Sequence, residues 1–300
     1  MQNPESVERE LEGCFCIPHD NPPRWLFVLT AYLDESGQES NAYVFIAGFL
    51  GNDEQWRKCA EQWKAALGPR KGLHMSRLRW GHPRKVEKLL RRLGPIPHEC
   101  GLEPLLGGVR VSDYEDLVKG TIDEQLMAGY IAALYPLVIQ MLKVVPADER
   151  VEIVFESQDR YAPLVELMLR NLAKTRDSQF LTSDGLPKLA SWRFVPKSST
   201  VLTQPADFFA YGVTQIYRDD KSEKSRLCMP IFPAGNHSEA VGKVMPRKQI
   251  RGIIEVTRLF NNLELISGLN LKPQTPEQRE RFNTLIDELV NGSTPIHKRP

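Results

Sequence analysis

Three hundred residues, 41% hydrophobic and 26% charged, describe a globular chain that can bury one large core or two ordinary ones. A formal net charge of +1 gives no global pull on an anionic partner, so any nucleic-acid argument must rest on local patches. No apolar stretch approaches the roughly 20 residues that span a bilayer, and the acidic start MQNPESVERELEG is unlike a secretory signal, so a cytoplasmic location is expected.

The first 23 residues read as a polar leader closed by the Asn-Pro-Pro turn at 21–23. Its Cys14 and Cys16 have no second cysteine pair at zinc-site spacing, which argues against a structural zinc. LFVLTAYLDESG (26–37) follows, an apolar strand running into Asp34 and Glu35. A lone buried carboxylate is expensive, so two acids at a strand's mouth suit a hard divalent cation. The same Asp-Glu-Ser-Gly string is equally an ordinary hairpin turn.

NAYVFIAGFL (41–50) predicts a second strand, antiparallel to the first. Asn52 and Asp53 offer a cap for EQWRKCAEQWKAAL, where Trp56, Ala60, Trp63 and Leu67 recur at helical spacing and read as core. A basic segment covers 70–94 and holds a helix from Pro83 to Leu93, and a third strand lies within LEPLLGGVRV. A long apolar helix is expected from Tyr114 to Val145, with Pro136 as a point of interruption. VEIVF (151–155) is a strand ending in Glu156, residues 161–174 are helical, and LASWRFV (189–195) is a further strand. PADFFAYGVTQIY (205–217) is a helix with proline at its first position. Beyond 218 comes a charged linker without periodicity, then a helical C-terminal extension. The expected fold class is α/β, a mixed sheet flanked by helices across 24–217.

Three of these elements place acids where a site could form: Asp34 and Glu35, Glu156, and Asp207 in the first turn of the late helix. Ligands of open α/β sheets gather at the carboxyl ends of strands. Such acids suit Mg²⁺ or Mn²⁺ and metal-assisted phosphoryl transfer. Each also has a plainer reading, as a loop carboxylate for Glu156 and a dipole-favoured first-turn residue for Asp207.

The string YLDESG, the strand ending in AGFL, the helix with spaced Trp, LHMSRLRWG and FVPKSSTVLTQPADFFAYGV occur in that order over roughly 28–217. Together they resemble the family called domain of unknown function 3800, whose members show a Y-[IL]-D-E-S-G opening, a Leu-His-[AM]-[ST] segment and a closing L-Q-x-A-D-x-x-A helix. Ser199, Gln204, Ala206, Asp207 and Ala210 match; Thr203 stands where Leu is usual, and Glu156 where Asp is more typical. The resemblance implies an RNase H-like mixed sheet and a metal-dependent nuclease. It also implies metal ligands at Asp34, Glu156 and Asp207, with Glu35 assisting. The longer arm of Glu156 alters the geometry available there.

His74, in LHMSRL, is a candidate to position a phosphate, to act as an acid, or to bind metal; an ordinarily hydrogen-bonded histidine is the alternative. Ser36 and Ser199 are candidates for hydrogen bonds to phosphate, and Gln204 reads as ordering the start of its helix. A Ser-His-Asp hydrolase is not expected, because no G-x-S-x-G elbow exists. The run RKGLHMSRLRWGHPRKVEKLLRR carries nine Lys or Arg against one Glu, with Trp80 and His82 available for stacking. Arg77, Arg79, Arg84, Lys85 and Lys88 from it, with Lys197, are the expected contacts to a DNA or RNA backbone. The rival expectation is a non-catalytic nucleic-acid-binding or partner-binding protein that keeps the fold.

Overall fold

The computed structural model describes residues 27–36, 42–78, 80–112, 129–156, 162–175, 177–196, 200–218, 221–232 and 244–245. The leader, the first half of the long apolar helix, the C-terminal extension, Arg79, Lys197 and Ser199 lie outside the described residues.

Strand β1 (Phe27–Ser36) runs antiparallel to β2 (Tyr43–Gly51), which runs antiparallel to β3 (Glu103–Arg110). On the other side of β1 lies β4 (Glu149–Glu156), parallel to it, and beyond that β5 (Leu189–Val195), parallel to β4. A two-residue strand, β6 (Val244–Met245), pairs in parallel with the outer edge of β3. The sheet order is therefore β5-β4-β1-β2-β3-β6, a mixed sheet in an α/β chain as expected.

Helices cover both faces. Helix α1 (Asp53–Leu67) opens with a capping box: the Gln55 amide donates to Asn52 Oδ1 at 2.9 Å, and the Asn52 amide to Gln55 Oε1 at 2.8 Å. Its Trp56, Ala60, Trp63 and Leu67 are buried, as their spacing predicts. Helix α2 (Pro83–Leu93) buries Val86, Leu89, Leu90 and Leu93, and α3 (Ile96–Glu99) leads into β3. Helix α4 (Gly129–Val144) is buried on nearly every side, α5 (Ala162–Lys174) follows β4, and α6 (Gln204–Arg218) lies across β1 and β2. Helix α7 (Glu223–Cys228) is the last described helix and runs into a short 3-10 turn, Met229–Ile231.

Period-two alternation splits the strands between two cores. Ala31, Leu33, Ile46, Val109, Ile153 and Phe155 point to α4 and α5. Tyr32, Phe45, Ala47, Phe49 and Val154 point to α1, α2 and α6.

Three expectations meet a different outcome. Helix α4 passes through Pro136 without a break. An interior proline removes one backbone bond and costs about 3 kcal/mol, but burial of both flanking turns against the sheet offsets that. Second, the segment after 217 is more than a charged linker. Ser222 caps α7 through its Oγ, and Leu227, Cys228 and Ile231 are buried in the α6-side core. Third, the stretch that looked aperiodic supplies β6, too short for any periodicity to register. The buried Lys188 has a structural use: its Nζ donates to the carbonyls of Leu142 and Val145, at 3.2 and 2.7 Å, closing the C-terminal end of α4.

Helix α4 rides directly on β3, because Gly107 has no side chain there. A Cβ at that position would fall 2.4 Å from the Ala133 carbonyl oxygen and 3.0 Å from Leu137 Cβ. Gly107→Ala is therefore expected to destabilise the protein by about 2 kcal/mol, the range for overpacking a filled core. Thermal denaturation should show a fall in Tm of roughly 4–8 °C.

Candidate functional site

Asp34 lies two residues before the end of β1, and Glu156 ends the neighbouring parallel strand β4. The last registered pair of β1 and β4 is Leu33 opposite Phe155, so Asp34 and Glu156 occupy the next rung. Both share the parity of Tyr32 and Val154 and face the α6 side. Their exposures are 4% and 5%. Both are therefore oxygen donors held on the inner side of the sheet, on neighbouring strands. The Glu35 amide donates to Asp34 Oδ1 at 2.8 Å and orients that side chain. Glu35 itself has the parity of Leu33 and belongs to the opposite, α4 face. The AG pair of AGFL contributes to the same corner: a Cβ on Gly48 would meet the Tyr32 carbonyl oxygen at 1.8 Å, so β1 runs tight against β2 just before Asp34.

Asp207 sits in the first turn of α6 and its side chain is 15% exposed. Its Oδ2 accepts from the Met75 amide at 2.8 Å and lies 3.2 Å from His74 Nδ1. An ionised carboxylate only accepts, so Nδ1 carries the hydrogen and the lone pair of the neutral ring is at Nε2. That Nε2 is 3.3 Å from Ser76 Oγ. His74 is extended, and the 3-10 turn Met75–Arg77 that follows brings Ser76 back over the imidazole.

Gln204 fixes this segment from the other end. Its Oε1 accepts from Trp63 Nε1 at 3.0 Å and from the Leu73 amide at 2.9 Å. One side chain thus joins α1, the loop before His74 and the start of α6. Leu73 and Met75 are buried on either side of the half-buried His74.

The residues named from sequence therefore fall into two pairs, Asp34 with Glu156 and Asp207 with His74. Among the described residues, no group of three or more His, Cys, Asp or Glu that could hold a metal ion is found. Sequence reasoning missed Ser76, although LHMS contained it; the signal was a hydroxyl two residues after the histidine.

The basic segment is laid out on the surface. Arg77, Arg84, Lys85 and Lys88 are exposed and, among the described residues, form no ion pair. Glu87 is taken by Arg91 at 2.9 Å and by Arg226 at 3.7 Å. Trp80 is spent on packing rather than left for a base: it stacks on Tyr211 with centroids 5.6 Å apart, and Lys224 Nζ lies 5.5 Å from its ring centre. Burial pushes the Tyr211 hydroxyl up to about 12, so it stays protonated across the neutral range. Among the described residues, no helix is long and apolar enough to cross a membrane.

A scan against protein-family models found no match, and searches of curated proteins and of solved structures found none either.

Gln204→Ala would strip acceptors from the buried Trp63 indole and the Leu73 amide, each worth about 1–3 kcal/mol when orphaned. The expected result is a lower Tm and faster hydrogen exchange at Leu73 and Met75. Gln204→Glu, which keeps an acceptor, should retain most of the protection.

Proposed function

We propose that the protein is a divalent-cation-dependent nuclease with an RNase H-like core, acting on the phosphodiester backbone of DNA or RNA. The observation that carries this reading is the buried Asp34–Glu156 pair at the carboxyl ends of adjacent parallel strands. Its donor set is all oxygen, which suits Mg²⁺ or Mn²⁺; Mg²⁺ is commonly held by one or two carboxylates, its remaining positions filled by water and substrate phosphate. A bound cation would supply charge neutralisation at the scissile phosphate and a more acidic water. The antiparallel trio β1–β3, extended by parallel β4 and β5, supports the RNase H-like reading, as does the resemblance carried by YLDESG, LHMS and QPADFFA.

The chain's own residues divide the remaining work. Asp34 and Glu156 bind the cation. His74, held in one tautomer by Asp207, exchanges a proton at Nε2. Glu35 faces away from this pair and acts through the amide that orients Asp34. Arg77, Arg84, Lys85 and Lys88 hold the nucleic-acid backbone without reading its sequence. Arg79 and Lys197 extend the same assignment from outside the described residues. The rival, a nucleic-acid binder without turnover, draws on Glu156, whose arm is one methylene longer than the aspartate of the resemblance.

Purified full-length protein with Mn²⁺ should cleave at least one of single- or double-stranded DNA or RNA, and EDTA should stop it. Asp34→Asn and Glu156→Gln should each lower the rate at least about 100-fold while leaving binding intact and removing any Mn²⁺-induced rise in Tm. Binding without cleavage of any form would hand the case to the rival. Reversing Arg84, Lys85 and Lys88 to Glu should weaken binding and flatten the dependence of log affinity on log salt, by about one unit for each phosphate no longer neutralised.

A further inference from the structure

The chain Asp207 Oδ2, His74 Nδ1, His74 Nε2, Ser76 Oγ has spacings of 3.2 and 3.3 Å. It joins a carboxylate, an imidazole and a hydroxyl in the order that activates a serine nucleophile. Each part is set by a separate feature of the fold. Asp207 is held by the Met75 amide, which leaves its charge to fix the tautomer of His74. Gln204 anchors the residue before His74, so the ring cannot swing away with its loop. Ser76 is exposed and, among the described residues, no hydrogen bond but that with His74 engages its side chain. Arg77, the next residue, is exposed and, among the described residues, in no ion pair, so a positive charge stands beside the hydroxyl in the chain.

We propose that Ser76, with the His74–Asp207 pair that the nuclease reading also uses, forms a cation-independent catalytic centre that hydrolyses carboxylic esters, with Ser76 Oγ as the nucleophile. The substrate class follows from charge. A phosphodiester is anionic and repels an incoming oxygen unless cations neutralise it, whereas an ester carbonyl is neutral and needs only a base and a donor for its developing oxyanion. In the first step Ser76 Oγ bonds to the carbonyl carbon as its proton passes to His74 Nε2. The carbon–oxygen bond to the alcohol then breaks, and the same proton goes to the departing oxygen. Water next adds to the acyl carbon, giving its proton to Nε2. The Ser76 ester bond breaks, that proton returns to Oγ, and the carboxylic acid leaves. Asp207 touches no substrate and is a positioning residue throughout.

This proposal goes beyond the nuclease reading and does not rest on it. The two can be told apart by running the test in EDTA, where cation-dependent cleavage stops. Full-length protein in EDTA is treated with a biotinylated alkyl fluorophosphonate, and the adduct is mapped by peptide mass spectrometry; hydrolysis of p-nitrophenyl butyrate is followed in parallel. One adduct per chain on Ser76 is expected, with none on Ser76→Ala and loss of its ester hydrolysis. Asp207→Asn, which keeps an acceptor for the Met75 amide, should label about 100-fold more slowly, and raising the pH should not restore it to the wild-type rate. Ser76→Ala removes only an exposed hydroxyl, so it keeps the test open should Asp207→Asn fail to fold. Absence of a Ser76 adduct, equal labelling in a folded Asp207→Asn, or wild-type ester hydrolysis by Ser76→Ala would overturn the proposal.

Discussion

Everything at the candidate site depends on the parallel pairing of β1 with β4 at one register. Leu33 opposite Phe155 puts the next residues, Asp34 and Glu156, on the same rung and the same face. A slip of one residue would turn either acid toward α4, against a core dominated by apolar side chains. The hydrophobic alternation of both strands locks the register: Ala31, Leu33, Ile153 and Phe155 must stay under α4 and α5. The core that stabilises the fold thus also aims the carboxylates, and packing and chemistry cannot be altered independently here.

The molecule handles its inward-facing carboxylates in two ways. Asp207 is solvated by the protein itself, through the Met75 amide and the His74 ring, with the start of α6 adding a favourable dipole. Asp34 and Glu156 are placed on the same rung of adjacent strands, Asp34 with its Oδ1 turned to the Glu35 amide. The first solution favours one tautomer of His74; the second rests on the register of two strands. Arg77, Arg84, Lys85 and Lys88 are left to solvent, so positive charge is concentrated locally in a chain of net charge +1.

Much of this was legible in the residues. Sequence pattern located β1, α1, α2, β5 and α6 nearly to the residue, because β1 is a continuous apolar run and each helix has one clearly apolar face. The parity of Asp34 against Glu35 also follows from alternation alone. The His74–Asp207–Ser76 chain did not, because His74 and Asp207 are 133 residues apart and only the tertiary fold brings them together. Trp80 misled for a related reason: its neighbours in sequence are cationic, but its neighbours in space are Tyr211 and Lys224. Pro136 looked like a break because its cost is local, whereas the burial that offsets it is not.

The tether made by Gln204 bears on how the chain is made. The acceptor that holds Trp63 and Leu73 arrives more than a hundred residues after them, as does Asp207 for His74. Loop closure over such a span comes late in folding and during synthesis, when N-terminal parts emerge first. A nascent chain that has not yet exposed α6 carries His74 and Ser76 on an unanchored segment. The geometry around His74 is thus completed only once α6 has been translated, so this corner of the fold is among the last parts of the described sheet domain to be set.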